Sequence, residues 1–141
     1  MGRYTGPKER LSRREGVELH LKGSRSFGEK SGLQRKPFVP GQHGNKRRAR
    51  LSNYGFQLRE KQKIKRLYGL TEKQLKNYFK KASKSRGNTA EILVRQLNHR
   101  LDNIVYKLNF APTRAASRQL INHGHVLLND KKVTIPSCFV K

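Results

Sequence analysis

Apolar residues recur at helical spacing only beyond residue 50, and this asymmetry divides the chain. From 51 to 69, Tyr54, Leu58, Ile64 and Leu67 form a thin stripe among Arg59, Lys61, Lys63, Lys65 and Arg66, which predicts a helix ended by Gly69. Thr71, with Gln74 three positions on, predicts a capping box. Leu75, Tyr78, Phe79 and Ala82 then fall at helical spacing as a small core, with Lys73, Lys76, Lys80, Lys81 and Lys84 on the other sides. After a break at 85–88, Thr89 is expected to cap a longer helix. Its stripe is Leu93, Leu97, Leu101, Ile104 and Leu108, spaced four, four, three and four. Asn109 ends that helix, and Pro112 prevents its continuation. Thr113 is a good N-cap for a short helix over 114–122, with Ala116, Leu120 and Ile121 inward and Gly124 as a left-handed stop. Residues 125–128 and 131–135 read as the strands of a hairpin turning at Asn129-Asp130.

Residues 1–50 show no such periodicity. Eight glycines and three prolines separate lone apolar residues such as Val17, Leu19, Leu21, Phe27 and Phe38. Such a stretch cannot bury enough apolar surface to fold strongly by itself. Two readings stand: disorder, or an arm that folds against a partner through backbone contacts and Arg clamps. Residues 37–44, PFVPGQHG, are stiff, then flexible, and lead into Lys46, Arg47, Arg48 and Arg50. A nuclear localisation signal is the lesser reading of that cluster. The expected fold is mainly α with a small β-hairpin: an extended basic arm over 1–50, helices over 51–90, and a small α/β module of two helices plus hairpin over 91–141.

Charge says what the partner is. Lys and Arg number 33 against nine Asp and Glu, a formal net charge of +24 in 141 residues. It is spread along the chain, at +10 for residues 1–50, +10 for 51–100 and +4 for 101–141. A free compact protein would repel itself at this charge, and a nucleic acid both relieves the repulsion and releases counterions. A membrane would attract the charge too, but the sequence has no long apolar run, signal-peptide core or acylation signature. The single cysteine, Cys138, excludes an internal disulfide framework, fits a reducing cytosol, and reads as a half-buried packing residue.

Catalytic and metal chemistry find little support. Acidic residues are few and lie mostly beside Lys or Arg, and no Walker or Rossmann glycine spacing occurs. Asp102 reads as a local salt bridge that orients Arg100. His20, His43, His99, His123 and His125 form no zinc pattern. His123 and His125, flanking Gly124 near Arg118, Asn122 and Asn129, suit phosphate or ribose. Around 113–133 the logic is phosphate recognition. Thr113 and the helix start offer donors, Arg114 and Arg118 four apart share a face, guanidinium groups grip phosphates with paired bonds, and Lys131 and Lys132 add charge. Few side chains suit base reading, so RNA shape and backbone are the expected targets. The expected RNA contacts are Arg3, Arg13, Arg14, Lys22, Arg35, Lys36, Gln42, His43, Lys46, Arg47, Arg48, Arg50, Arg59, Lys61, Arg100, Thr113, Arg114, Arg118, His123, His125, Lys131 and Lys132.

The stretch RLDNIVYKLNFAPTRAASRQLINHGHVLLNDKKV at 100–133 resembles the RNA-binding module named after small-subunit ribosomal protein four. MGRYTGPKERLSRREG at the start, PGQHG at 40–44 and LREKQKIKRLYGL at 58–70 resemble that bacterial-type protein family itself, so the resemblance spans essentially the whole chain. It implies a non-enzymatic constituent of the small ribosomal subunit. Such a protein would bind small-subunit rRNA early, at a helix junction of the 5′ domain, and nucleate assembly. It would sit near the side where messenger RNA enters, beside ribosomal protein five, and influence decoding accuracy; members also repress their own operon. The implied location is a cytoplasmic bacterial-type ribosome, with an organellar one left open.

Two departures are visible. Many members carry four arm cysteines that bind zinc, where this chain has Glu9, Ser12, Ser26 and Ser31. Three hydroxyls and one carboxylate make a poor zinc site, so a metal-free arm with no cofactor is expected. The sequence also stops just after the hairpin, where members continue with further strands and a segment that returns to the first domain. A truncated module is therefore expected, which leaves the contact with protein five open. The other readings are a fragment of an RNA-modifying enzyme and an off-ribosome RNA-binding regulator. The enzyme reading does not account for PGQHG or the MGRY start, and the regulator would work off the ribosome, so sedimentation separates it.

Overall fold

The computed structural model describes residues 2–46 and 50–140. By contacts the chain forms two compact units, Met1–Gly69 and Leu70–Lys141. Their boundary falls within the stretch 51–90 that the sequence suggested as one helical part.

The first unit contains α1 (Glu9–Glu15), a 3-10 turn (Gly23–Ser26), α2 (Gly32–Arg35) and α3 (Asn53–Leu67). Residues 1–50 were expected to lack an apolar core. Among the described residues of this unit, Leu19 is the one buried apolar side chain, and Ser12, Glu15, Ser26 and Ser31 are buried with it. Polar contacts do the joining. Arg13 Nε donates to the carbonyls of Lys36 (3.0 Å) and Phe38 (3.1 Å), and its guanidinium lies 5.1 Å from the Phe38 ring centre. The Glu15 carboxylate, wholly covered, accepts from Arg59 Nη1 at 3.3 Å and also from Arg66 Nη1. The thin stripe of α3 buries none of its own residues fully, so these ion pairs hold it to α1.

The second unit follows the sequence more closely. Thr71 and Gln74 close the expected capping box at the head of α4 (Glu72–Lys84), with Thr71 N–H donating to Gln74 Oε1 at 3.0 Å. Leu75 and Ala82 are buried and Tyr78 is half-buried, whereas Phe79 turns outward at 54% exposure and leaves the expected core. The next helix, α5 (Thr89–Asn98), is capped by Asn88 rather than Thr89, the Asn88 side chain accepting from Ala90 N–H at 3.0 Å.

The single long helix expected from Thr89 to Leu108 is broken. α5 ends at Asn98, and α6 spans Leu101–Lys107. Between them Arg100 is extended, with ψ of 137°, and bridges Phe139. The amides of Leu101 and Asp102 donate to the carbonyls of Cys138 (2.9 Å) and Pro136 (3.0 Å), and Val140 N–H donates to His99 O at 2.9 Å. Backbone partners from the last residues thus replace the helical bonds that continuation would need. The hydrophobic spacing hides the break because Leu97 and Leu101 remain inward on either side, although Leu108 is exposed.

α7 (Arg114–Asn122) has the expected bounds and cap, Thr113 Oγ1 accepting from Ala116 N–H at 3.1 Å, and Ser117 and Ile121 are its buried residues. β1 (Leu127–Leu128) pairs antiparallel with β2 (Lys131–Lys132). Asn129 and Asp130 both take left-handed φ, 50° and 61°, as a two-residue hairpin turn requires. Leu101, Val105 and Ile121 form the core, covered by Val126, Val133, Cys138 and Val140, so the thiol packs as expected.

Candidate nucleic-acid interface

The second unit is organised round a buried carboxylate. Asp102, on the first turn of α6, is 2% exposed. Its Oδ1 accepts from Arg100 Nε at 3.0 Å, and its Oδ2 from Arg100 Nη2 at 2.7 Å. From α7, Arg118 donates to the same Oδ2 through Nη2 at 2.7 Å and Nε at 3.2 Å. Arg100 Nη1 donates to the Tyr78 hydroxyl at 2.8 Å. Burial works against charge on Arg100, but the hydrogen bonds and charge of Asp102, with Tyr78, outweigh it and raise the guanidinium above its usual value. Two cations on one covered carboxylate leave a net positive charge, which suits a surface meant to meet an anion.

Arg114 is set beside this hub. Its Nε donates to Asn103 Oδ1 at 2.8 Å, and its guanidinium lies 4.4 Å from the centre of the Tyr106 ring. Asn103 is fully buried and also donates to the Asn98 carbonyl at 3.2 Å. Two consecutive residues of α6, Asp102 and Asn103, therefore fix the two arginines that α7 presents. At the other end of α7, Gly124 has φ of 76°, and the Lys132 side chain lies where its Cβ would be. The rings of His123 and His125 are 6.0 Å apart.

The expected contact residues sort by exposure. Arg3, Arg14, Lys22, Arg35, Lys36, Gln42, His43, Lys46, Arg50, Lys61, His123, His125, Lys131 and Lys132 are exposed. Arg13, Arg59, Thr113, Arg114 and Arg118 are half-buried and already bonded within the fold. Arg100 is corrected: at 2% exposure, with Asp102 and Tyr78 on its guanidinium, it is an internal strut rather than a surface contact. Arg47 and Arg48 lie outside the described residues. The sequence reading missed Tyr78, Asn103 and Tyr106 as supports. It linked Asp102 to Arg100 but not to Arg118, which is sixteen positions away and has no local signal.

In the first unit Lys8 is half-buried, and its ammonium is held below the usual value by burial first, then by the charges of Lys22 and Arg3. Among the described residues no three His, Cys, Asp or Glu side chains gather as a metal site, and no helix is long and apolar enough to cross a membrane.

Fold and site together define a class: a strongly basic helical protein whose final module, two helices and a hairpin, is tied internally by one carboxylate and edged with cations. Residues 3–98 match the family described as Ribosomal protein S4/S9 N-terminal domain, and residues 99–141 match the S4 domain. The chain is 54% identical over 142 aligned positions to the small ribosomal subunit protein uS4 of Petrotoga mobilis. It is 53% identical to that of Thermosipho africanus and 50% to that of Thermus thermophilus. In each case the whole chain aligns, and it spans about two thirds of the relative, 67% or 68%. The chain belongs to the bacterial-type uS4 family of small ribosomal subunit proteins.

Proposed function

We propose that this chain is a structural, non-enzymatic constituent of the small ribosomal subunit that binds small-subunit rRNA through its basic surface. The observation that carries the reading is the paired arrangement at α6–α7, where Asp102 and Asn103 hold Arg118 and Arg114 in fixed positions. Guanidinium groups held this way lose little freedom on gripping a phosphate. Alignment of the whole chain with about two thirds of the small-subunit proteins supports the same reading. The contacts we propose are the exposed residues named above, together with the half-buried Arg13, Arg59, Thr113, Arg114 and Arg118, and Arg47 and Arg48.

By resemblance, the binding site is the 5′ domain of the rRNA, bound early enough to nucleate assembly, in a cytoplasmic bacterial-type ribosome. Ribosomal protein five and the incoming messenger RNA would be neighbours, with an effect on decoding accuracy. In this reading residues 1–50 serve as the rRNA-binding arm, 51–90 as the helical part and 91–141 as the module. The arm works without zinc: Ser12 and Ser31 already donate their hydroxyl protons to a carboxylate, and Ser26 accepts from the Lys22 amide. Neutral hydroxyls so engaged do not fit a zinc ion, which takes sulfur, imidazole or carboxylate.

The test is crosslinking of the protein to RNA in cells, with sequencing of the attached fragments. Reads concentrated in the 5′ domain of small-subunit rRNA are expected. Reads spread over transfer, messenger or large-subunit RNA would instead indicate an RNA-modifying or off-ribosome protein that shares the module.

A further inference from the structure

We infer that Glu18 is the positioning residue of the first unit: its carboxylate ties α1, the segment 18–20 and the start of α2 into one frame that sets the basic residues before RNA arrives. The first unit has almost no apolar core to do this, since Leu19 is its one buried apolar side chain among the described residues. Glu18 Oε1 accepts from Ser12 Oγ at 3.1 Å and from His20 N–H at 3.3 Å, and Oε2 accepts from Ser31 Oγ at 2.6 Å. Both hydroxyls relay the link. Ser12 Oγ accepts from Leu19 N–H at 3.3 Å, and Ser31 Oγ caps α2 by accepting from Leu33 N–H at 3.3 Å. A carboxylate is suited to this work because it only accepts, at several lone-pair sites, and its bonds are stronger than neutral ones.

Neighbouring contacts extend the frame. His20 adopts φ of 50°, a left-handed conformation unfavourable for a residue with a Cβ. It is held there by the hydrogen bond that its N–H donates to Glu18 and by stacking of its ring on Phe27, with centres 4.5 Å apart. Ser26 Oγ accepts from Lys22 N–H at 3.2 Å, and Arg25 Nε lies 2.8 Å from Glu9 Oε1, which joins the 3-10 turn to α1. Arg13, next to Ser12, carries the frame on to the carbonyls of Lys36 and Phe38. Arg14, Lys22 and Arg35 project from these same elements and are exposed. Of the two readings left open for residues 1–50, this favours neither disorder nor folding upon RNA, but a frame formed in the free protein. Binding then costs less ordering of the chain.

The proposal rests on the rRNA-binding reading, and two readouts keep the two separable. Hydrogen exchange would be measured on the free full chain, and binding to a transcript of the small-subunit 5′ domain would be measured across a salt series. In Glu18→Ala, amide protection over 12–35 is expected to fall roughly ten- to a hundredfold, as loss of bonds to a charged acceptor implies, while protection in α5–α7 is kept. Glu18→Gln and Ser12→Ala should show partial losses. RNA affinity should drop with an unchanged salt slope, because no phosphate contact is removed. Unprotected amides over 12–35 in the parent chain, full protection in Glu18→Ala, or a salt slope that falls with affinity would each overturn the proposal. Should Glu18→Ala fail to fold, the two milder variants decide by the same measurements. If the parent chain does not bind the transcript, the functional reading fails, and the exchange pattern alone still decides whether Glu18 builds the frame.

Discussion

Arg118 Nη2 donates to Asp102 Oδ2 at 2.7 Å, joining α7 to α6 beneath the surface that carries the module's cations. The same oxygen accepts Arg100 Nη2, also at 2.7 Å. Removing Asp102 takes the shared carboxylate from two guanidinium groups, one of them fully buried. Loss of one partner from a buried ion pair typically costs about 3–5 kcal/mol. Asp102→Ala is therefore expected to lower unfolding free energy by about that much in denaturant titration, whereas Arg118→Ala, which leaves Asp102 its bonds to Arg100, costs less. Equal losses would show that Asp102 is not the hub.

Arg114 and Arg100 separate contact from support. Arg114→Ala is expected to weaken rRNA binding by about 1–3 kcal/mol, the range for a lost charged hydrogen bond. The slope of log affinity against log salt should fall by somewhat under one unit. Arg100→Ala should chiefly destabilise the fold, since its guanidinium faces Asp102 and Tyr78. Binding to the rRNA transcript at low and moderate salt checks both. An unchanged affinity for Arg114→Ala would remove that residue from the interface.

What could be read from the sequence depended on whether the cause was local. The Thr71–Gln74 box, the Thr113 cap with its helix, and the Asn129-Asp130 turn are decided by residues within a few positions of one another. The break at His99-Arg100 is decided by carbonyls of Pro136 and Cys138, more than thirty positions away, and helical spacing on either side conceals it. Phe79 shared the stripe of α4, but it stays exposed. At the interface, charge density located the cations and missed their supports. Asn103, Tyr106 and Glu18 carry no positive charge, so nothing in composition marks them. Arg100 was misplaced for the matching reason: a basic residue in a basic chain reads as surface unless its carboxylate and hydroxyl partners are known.

Lys8 ties stability to alkaline pH. Its ammonium is held below the ordinary 10.5 by burial and by Lys22 and Arg3. A lysine whose folded value is depressed makes the unfolded chain the better proton binder in the window between the two values, so stability rises as pH climbs through that window. Lys8→Met should accordingly be more stable than the parent chain at neutral pH, with the advantage shrinking as pH approaches 10.5. Thermal melts of both proteins across that range check the sign.

Gly124 couples the end of α7 to the hairpin. A Cβ built there would fall 2.1 Å from Lys132 Cε and 2.8 Å from Nζ, at a backbone φ of 76°. Gly124→Ala therefore meets left-handed strain of about 1–2 kcal/mol, and it must also push the flexible Lys132 stem aside. The stability loss should appear in a denaturant titration. Displacement of the ammonium should appear separately, as weaker rRNA binding with a reduced salt slope. A double-mutant cycle isolates the cause. If the affinity loss comes from moving Lys132, then Gly124→Ala added to Lys132→Ala lowers affinity no further than Lys132→Ala does alone. Additive losses would mean that the backbone at Gly124, flanked by His123 and His125, meets the RNA directly.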